Sequence, residues 1–326
     1  MDTVWMLQHG AFSPVPSEKQ GGTPARFTLW GVVNVTPDSF FDGGQHFSQE
    51  SSLAHALKLA ADGARVLDLG GASARPGAED VSPQEETRRV LPLVRELVRL
   101  RRETKNEASS EAVDSSDNAA APSTPDAPDA PALPADTLIS VDTWQSSVAA
   151  AVLEAGADIL NDVSACAWDP ALREAAAAFK PGYVLTHCLP GAKPGTMQDN
   201  PRYDDVVSDV LRFFEEKMAM LVAAGLPEHC IMLDPGIGFG KTAEHNCALL
   251  AGMERIATLG RPILLGVSNK SLFGHLLGLG VTERGEATRI CTSLLAARGI
   301  YHHRVHDVTS ARQALTLVER FTPWKG

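Results

Sequence analysis

The chain has 326 residues, 44% of them apolar, and a formal net charge of −11. That length allows one large domain or two small ones, the acidic balance disfavours a nucleic-acid partner, and no apolar run is long enough to span a bilayer. The N-terminus lacks a signal-peptide pattern, and Cys166, Cys188, Cys230, Cys247 and Cys291 form no C-x-x-C pair, which predicts a reducing cytoplasm and argues against a zinc site.

Residues 1–27 carry scattered Pro, Gly and Ser and read as an N-terminal extension with little structure of its own. A short apolar run over 28–35 predicts the first strand, ending at Asn34. Thr36-Pro37-Asp38-Ser39 and the pair Gly43-Gly44 then predict a long loop that carries Asp38, Phe40 and Asp42. A helix is expected over 48–62 and a second strand over 65–69. Gly70 and Gly71 lead on to Ala74, Arg75 and Pro76. The next helix runs from Pro83, with proline in its first turn, to about Arg102.

Residues 103–136 are rich in Ala, Ser, Pro and Asp, and hold eight acids and one lysine, so this stretch carries −7 of the −11. Such a segment buries too little apolar surface to offset chain entropy and is predicted to be a disordered, solvated spacer. Five further strands are expected over 138–141, 159–160, 183–186, from 231, and over 263–267, with an eighth over 301–305. Helices are expected over 145–155, 170–179, 203–224 and 244–259, then up to Arg298, and finally over 310–321.

Eight strands alternating with helices imply a parallel sheet, and eight units fit a single (β/α)8 TIM barrel over 28–326. An open doubly wound sheet is the alternative; no G-x-G-x-x-G follows the first strand to support its dinucleotide-binding form. In a barrel, the loops after the strands share one face, where the site lies. The low-complexity insertion falls between the second helix and the third strand, on the opposite face.

Asn34, Arg75, Asp142, Asn161, His187, Asp234, Lys270, Arg304 and His306 all stand at or just after predicted strand ends. Singly, each has a plainer role: Asn and Asp cap helices and turns, and His187 fits equally well as a core histidine. Together, a closed barrel would bring them to one mouth. Asp142, Asn161, Asp234 and Lys270 supply acceptors and donors suited to the edge of a nitrogen-rich heterocycle, at about 1.5–3 kcal/mol per charge-assisted bond. Arg75, Arg304 and His306 suit a polyphosphate, and Asn34 could hold the Mg²⁺ that such a group brings. No Walker A motif, nucleophile elbow or His-x-x-x-His spacing is present. The pattern therefore points to electrostatic catalysis with a departing pyrophosphate.

These segments resemble the dihydropteroate synthases of folate biosynthesis. The matching stretches are N-V-T-P-D-S-F from Asn34, R-P-G-A from Arg75, S-V-D-T from Ser140, I-L-N-D ending at Asp162, T-M-Q from Thr196, D-P-G-I-G-F-G-K from Asp234, and R-V-H-D from Arg304. The resemblance implies a barrel, usually a homodimer, that joins 6-hydroxymethyl-7,8-dihydropterin diphosphate to 4-aminobenzoate, releasing pyrophosphate. It implies that Asp142, Asn161, Asp234, Lys270 and Gly266 hold the pterin. Arg75, Arg304, His306 and Asn34 would hold the diphosphate, with Mg²⁺ on Asn34. Ala74, Arg75, Pro76, Ile237 and Ser271 would line the aminobenzoate pocket, and the loop with Asp38, Phe40 and Asp42 would cover the reacting centre. Ala72, Ala74, Ile237 and Asn269 depart from the usual family residues, mostly on the aminobenzoate side, which predicts a weaker hold on that substrate and on sulfonamides. A pterin-binding paralogue without turnover, or a methylfolate–corrinoid methyltransferase on the same fold, are the competing functions.

Overall fold

The computed structural model describes residues 5–7, 10–12, 26–35, 49–72, 81–114, 132–189 and 201–322. Two short strands, β1 (Trp5–Leu7) and β2 (Gly10–Phe12), pair antiparallel. Eight parallel strands follow: β3 (Thr28–Asn34), β4 (Val66–Gly70), β5 (Leu138–Asp142), β6 (Ile159–Asp162), β7 (Gly182–Thr186), β8 (Ile231–Asp234), β9 (Leu264–Leu265) and β10 (His302–Val305). Their order is β8-β7-β6-β5-β4-β3-β10-β9, and a parallel bridge from Leu233 to Ile263 joins the two ends into a ring. The barrel expected from the alternating pattern is therefore present, with each of its eight strands in place.

The helices are α1 (Gln49–Ala61), α2 (Pro83–Asp114), α3 (Ser146–Glu154), α4 (Leu172–Phe179), α5 (Val206–Ala224), α6 (Ala243–Ala251), α7 (Met253–Ala257), α8 (Ser271–Leu277), α9 (Gly285–Ala297) and α10 (Val308–Phe321). Strand side chains alternate between two faces. Leu67, Leu69, Ile139 and Val141 face outwards and pack with Val90, Val94 and Leu97 of α2. Trp30, Val66, Ile159, Val184, Met232 and Leu264 face inwards and fill the start of the barrel with a separate apolar cluster. Side chains that fill the interior in layers make such a barrel a packed core rather than a pore.

Two expectations need correction. The N-terminal segment contributes structure: Trp5 is fully buried in the interior cluster, 5.9 Å from the Trp30 ring, and its Nε1 donates to Cys230 O at 2.6 Å. Gly182 makes the room, since a Cβ there would stand 2.8 Å from the Trp5 ring. The loop-like composition of 1–27 conceals two strands too short to show a period. Helix α2 also continues past Arg102 to Asp114. Glu103, Lys105 and Glu107 are good helix formers, and Arg99 pairs with Glu103 across one turn. The rest of the insertion, 115–131, lies outside the described residues.

Candidate active site

Two residues beyond the inner apolar cluster, the strand period brings Asp68, Ser140, Asn161, Asp234, Gly266 and Arg304 to the interior. They form one polar layer. Ser140 Oγ donates to Asp68 Oδ1 at 2.7 Å, and Asn161 Nδ2 donates to Asp68 Oδ2 at 2.9 Å. Arg304 Nη2 donates to Asp234 Oδ2 at 2.9 Å, while its Nη1 lies 3.6 Å from Asp68 Oδ2. Gly266 backs the guanidinium; a Cβ there would stand 3.1 Å from Nη2. Asn161 Oδ1 and Arg304 Nη1 are buried without a hydrogen bond. In a native structure such unsatisfied groups call for an explanation.

Asp142 stands at the open end of β5, above this layer. Burial raises its carboxyl well above the usual carboxylate range, and the charge of Asp68 adds to that; Arg304 opposes both. Asp68 is raised too, by burial, against the pull of Arg304 and the bonds from Ser140 and Asn161. Burial works against the charge of Arg304, but Asp234, Asp68 and Asp142 outweigh it and its pKa rises. The floor thus concentrates carboxylates around one guanidinium.

The turn after β8 forms one wall. Asp234 Oδ1 accepts from Gly236 N at 2.8 Å. Gly236 has φ +67°, and a Cβ there would stand 2.1 Å from His187 O, so only glycine fits. Gly238 N donates to Asn246 Oδ1 at 2.8 Å, anchoring the turn to α6. Lys270 Nζ lies 4.4 Å from the centre of the half-buried Phe239 ring, a cation–π contact. His306 Nδ1 meets Ser268 Oγ at 2.9 Å. Asn34 and Ser271 are exposed at the ends of β3 and the start of α8.

Of the sequence-predicted residues, Asp142, Asn161, Asp234, Gly266 and Arg304 come together in or beside one cluster. Two differ from expectation, and His187 takes the plainer of its two predicted roles. Ile237 is 1% exposed and packs in the apolar core outside the barrel, so it does not line a pocket at the mouth; Phe239, two residues on, presents the aromatic face. Arg304 reaches the floor rather than the mouth, because Asp234 and Asp68 compensate its charge there. His187 is a core residue, 2% exposed and edge-on to Phe213 at 4.6 Å. Asp38, Phe40, Asp42, Ala74, Arg75 and Pro76 lie outside the described residues.

Sequence reasoning tied to strand ends missed Asp68, Phe239, Lys241 and Asn246. Asp68 had a usable signal: a lone acid inside V-L-D-L-G, a strand buried on both faces, is rare unless paired.

The chain matches the model of the family described as pterin binding enzyme over residues 30–118 and 130–306. The dihydropteroate synthase of Escherichia coli (strain K12) is 36% identical over 291 residues, covering 89% of this chain and 90% of that protein. The Xanthomonas albilineans dihydropteroate synthase solved with 4-aminobenzoic acid superposes with a TM-score of 0.77 at 34% identity, covering 99% of this chain and 100% of that one. The Yersinia pestis dihydropteroate synthase solved with a sulfonamide drug gives a TM-score of 0.76 at 32% identity, covering 97% and 98%.

Proposed function

The chain belongs to the dihydropteroate synthase family of pterin-binding enzymes, and from that membership and its site we infer the reaction it performs. It is a transferase that joins 6-hydroxymethyl-7,8-dihydropterin diphosphate to 4-aminobenzoate, giving 7,8-dihydropteroate and pyrophosphate. The observation that carries the pterin site is the buried, unpartnered Asn161 Oδ1 beside Asp234 and Asp142. An acceptor-rich floor of this kind is complementary to the N–H edge of a pterin, and a bound ring would satisfy the orphaned oxygen. Lys270 stands over the Phe239 ring and would supply a further donor to the bound pterin.

The diphosphate lies outward of the pterin on this reading. His306 supplies a donor on that side, while Arg304, paired with Asp234 and Asp68, stays in the floor. Asn34 offers a hard oxygen ligand at the mouth. Among the described residues no group of three His, Cys, Asp or Glu could hold a metal, so Mg²⁺ would come with the diphosphate and bind chiefly to its oxygens, with Asn34 as the protein ligand. Bound there, the ion would neutralise charge on the departing pyrophosphate. Asp142, against the pterin, stabilises the positive charge left on the ring as the carbon–oxygen bond opens, and the arylamine then attacks.

We also propose a homodimer. Ile290 and Leu294 of α9 and Leu317 and Phe321 of α10 form an exposed apolar face that a second copy would cover. Light scattering should give twice the chain mass of 34.7 kDa; a monomer would remove the dimer. The cytoplasm is the compartment proposed, because all five cysteines are free.

Titration with pterin diphosphate and Mg²⁺, followed by 4-aminobenzoate with a pyrophosphate assay, tests the reaction. Binding followed by pyrophosphate release is expected. Binding without release would identify a pterin-binding paralogue, and absence of binding would remove the pterin site.

A further inference from the structure

Lys241 closes the turn that begins at Asp234, and its side chain runs back beneath it. Its Nζ contacts His187 Nδ1 at 2.8 Å and donates to Gly236 O and Phe239 O at 3.0 Å each. An ammonium has three N–H bonds, and these three acceptors use all of them. With Nδ1 accepting, the His187 proton is placed on Nε2. The ring is fixed by Phe213, and His187 N donates to Asp234 O at 2.8 Å. One nitrogen thus ties the turn to the end of the neighbouring strand.

The opposite side of this turn carries substrate-facing groups. Asp234 opens it, and Phe239 lies under Lys270. A Cβ on Gly238 would stand 3.3 Å from the Lys270 side chain, so a small shift of the turn also disturbs that lysine.

We propose that Lys241 is a positioning residue for the reaction. Its ammonium pins the turn against His187 and so fixes Asp234 for the pterin and Phe239 for the arylamine. This rests on the function proposed above.

The charge on Lys241 is finely balanced. Burial brings it down to about 7; Asp234 and Cys188 oppose that, and Lys270 adds to it. Burial and the Lys241 charge hold His187 well below its ordinary range, so it stays a neutral acceptor. Tyr203, which donates to Gly240 O at 2.8 Å, His245, 4.9 Å from the Tyr203 ring, and Arg304, bonded to Asp234 at 2.9 Å, also face the turn. Above about pH 7 the neutral amine has two N–H bonds, and the charge that strengthens all three ties is lost.

The test compares wild type with Lys241→Met and Lys241→Arg. Each is checked for folding by circular dichroism, then assayed for pyrophosphate release from pH 6 to 8.5. Wild-type kcat/KM should fall as pH rises through about 7. Lys241→Met should lose roughly 10- to 100-fold in kcat/KM for both substrates and show no such fall, since a 1 Å misplacement can lower rate about 100-fold. Lys241→Arg keeps its charge across this range, so it should recover part of the activity and show a flat profile. A folded Lys241→Met with wild-type kcat/KM and pH profile overturns the proposal. If neither variant folds, a flat wild-type profile overturns it. A wild type inert towards both substrates removes the proposed function and this inference together; an active wild type with unaffected variants removes this inference alone.

Discussion

Asp142 shows how a residue proposed to bind substrate can weigh against the fold that carries it. Its carboxyl is raised above the ordinary value of 3.8 by burial and by Asp68. The folded protein therefore binds this proton more tightly than the unfolded chain does. Stability falls as pH rises from 3.8 through the raised value, and the whole penalty is present above it. Asp142→Asn should raise the melting temperature once the pH is above the raised value, by about 1–2 °C for each kcal/mol of penalty removed in a chain of this size. The gain should shrink at more acid pH, and pterin binding should be lost, a trade-off between stability and activity. Melts at several pH values and one titration check this; a melting temperature equal to wild type at every pH would mean that the charge is not penalised. At the neighbouring wall, Phe239→Ala should weaken the arylamine by roughly 0.5–1.5 kcal/mol, the worth of an aromatic contact, read as a higher KM. Ile237→Phe should not tighten it. Position 237 lies in the packed outer core, and an added ring there should lower stability by about 1–3 kcal/mol. Steady-state kinetics and denaturant titration on the pair separate the two positions; a lower KM in Ile237→Phe would return that residue to the pocket.

At the scale of elements, the N-terminal hairpin acts as a plug. Trp5 reaches the interior cluster beside Trp30 and against Gly182. It meets the strands near their starting ends, away from Asp142 and Asp234. Trp5→Ala should therefore lower stability by about 3–5 kcal/mol, as for other buried aromatics, while kcat changes little. Urea unfolding measures the first and the pyrophosphate assay the second. A loss below about 0.5 kcal/mol, the range of ordinary surface changes, would show that the hairpin is not seated there in solution.

For the whole molecule, barrel topology separates the insertion from the chemistry. Helix α2 leads into it and β5 leads out, and Arg101 Nη1 donates to Thr137 O at 3.0 Å where the two come together. This contact lies at the start of β5, whereas Asp142 ends it. Replacing residues 108–131 with a short Gly-Ser link should leave kcat/KM within about twofold, since long surface insertions add little closure entropy. A large fall in turnover with the helical signal otherwise intact would place the insertion near the site.

The sequence by itself determined the eightfold alternation, the parallel sheet and the strand ends at which Asn161 and Asp234 stand. Those properties are local: an apolar run, a turn residue and a helical period are all short in chain length. What the sequence could not determine was side-chain direction. Ile237 and Phe239 are two residues apart in a glycine turn without strand geometry, and only the packing of the outer core decides which faces the mouth. Arg304 reads as a phosphate ligand until the carboxylates of Asp68 and Asp234, from strands far apart in the chain, are placed beside it. Trp5 and Lys241 were hidden for the same reason. Their roles depend on partners at Trp30 and His187 that closing the barrel brings within reach.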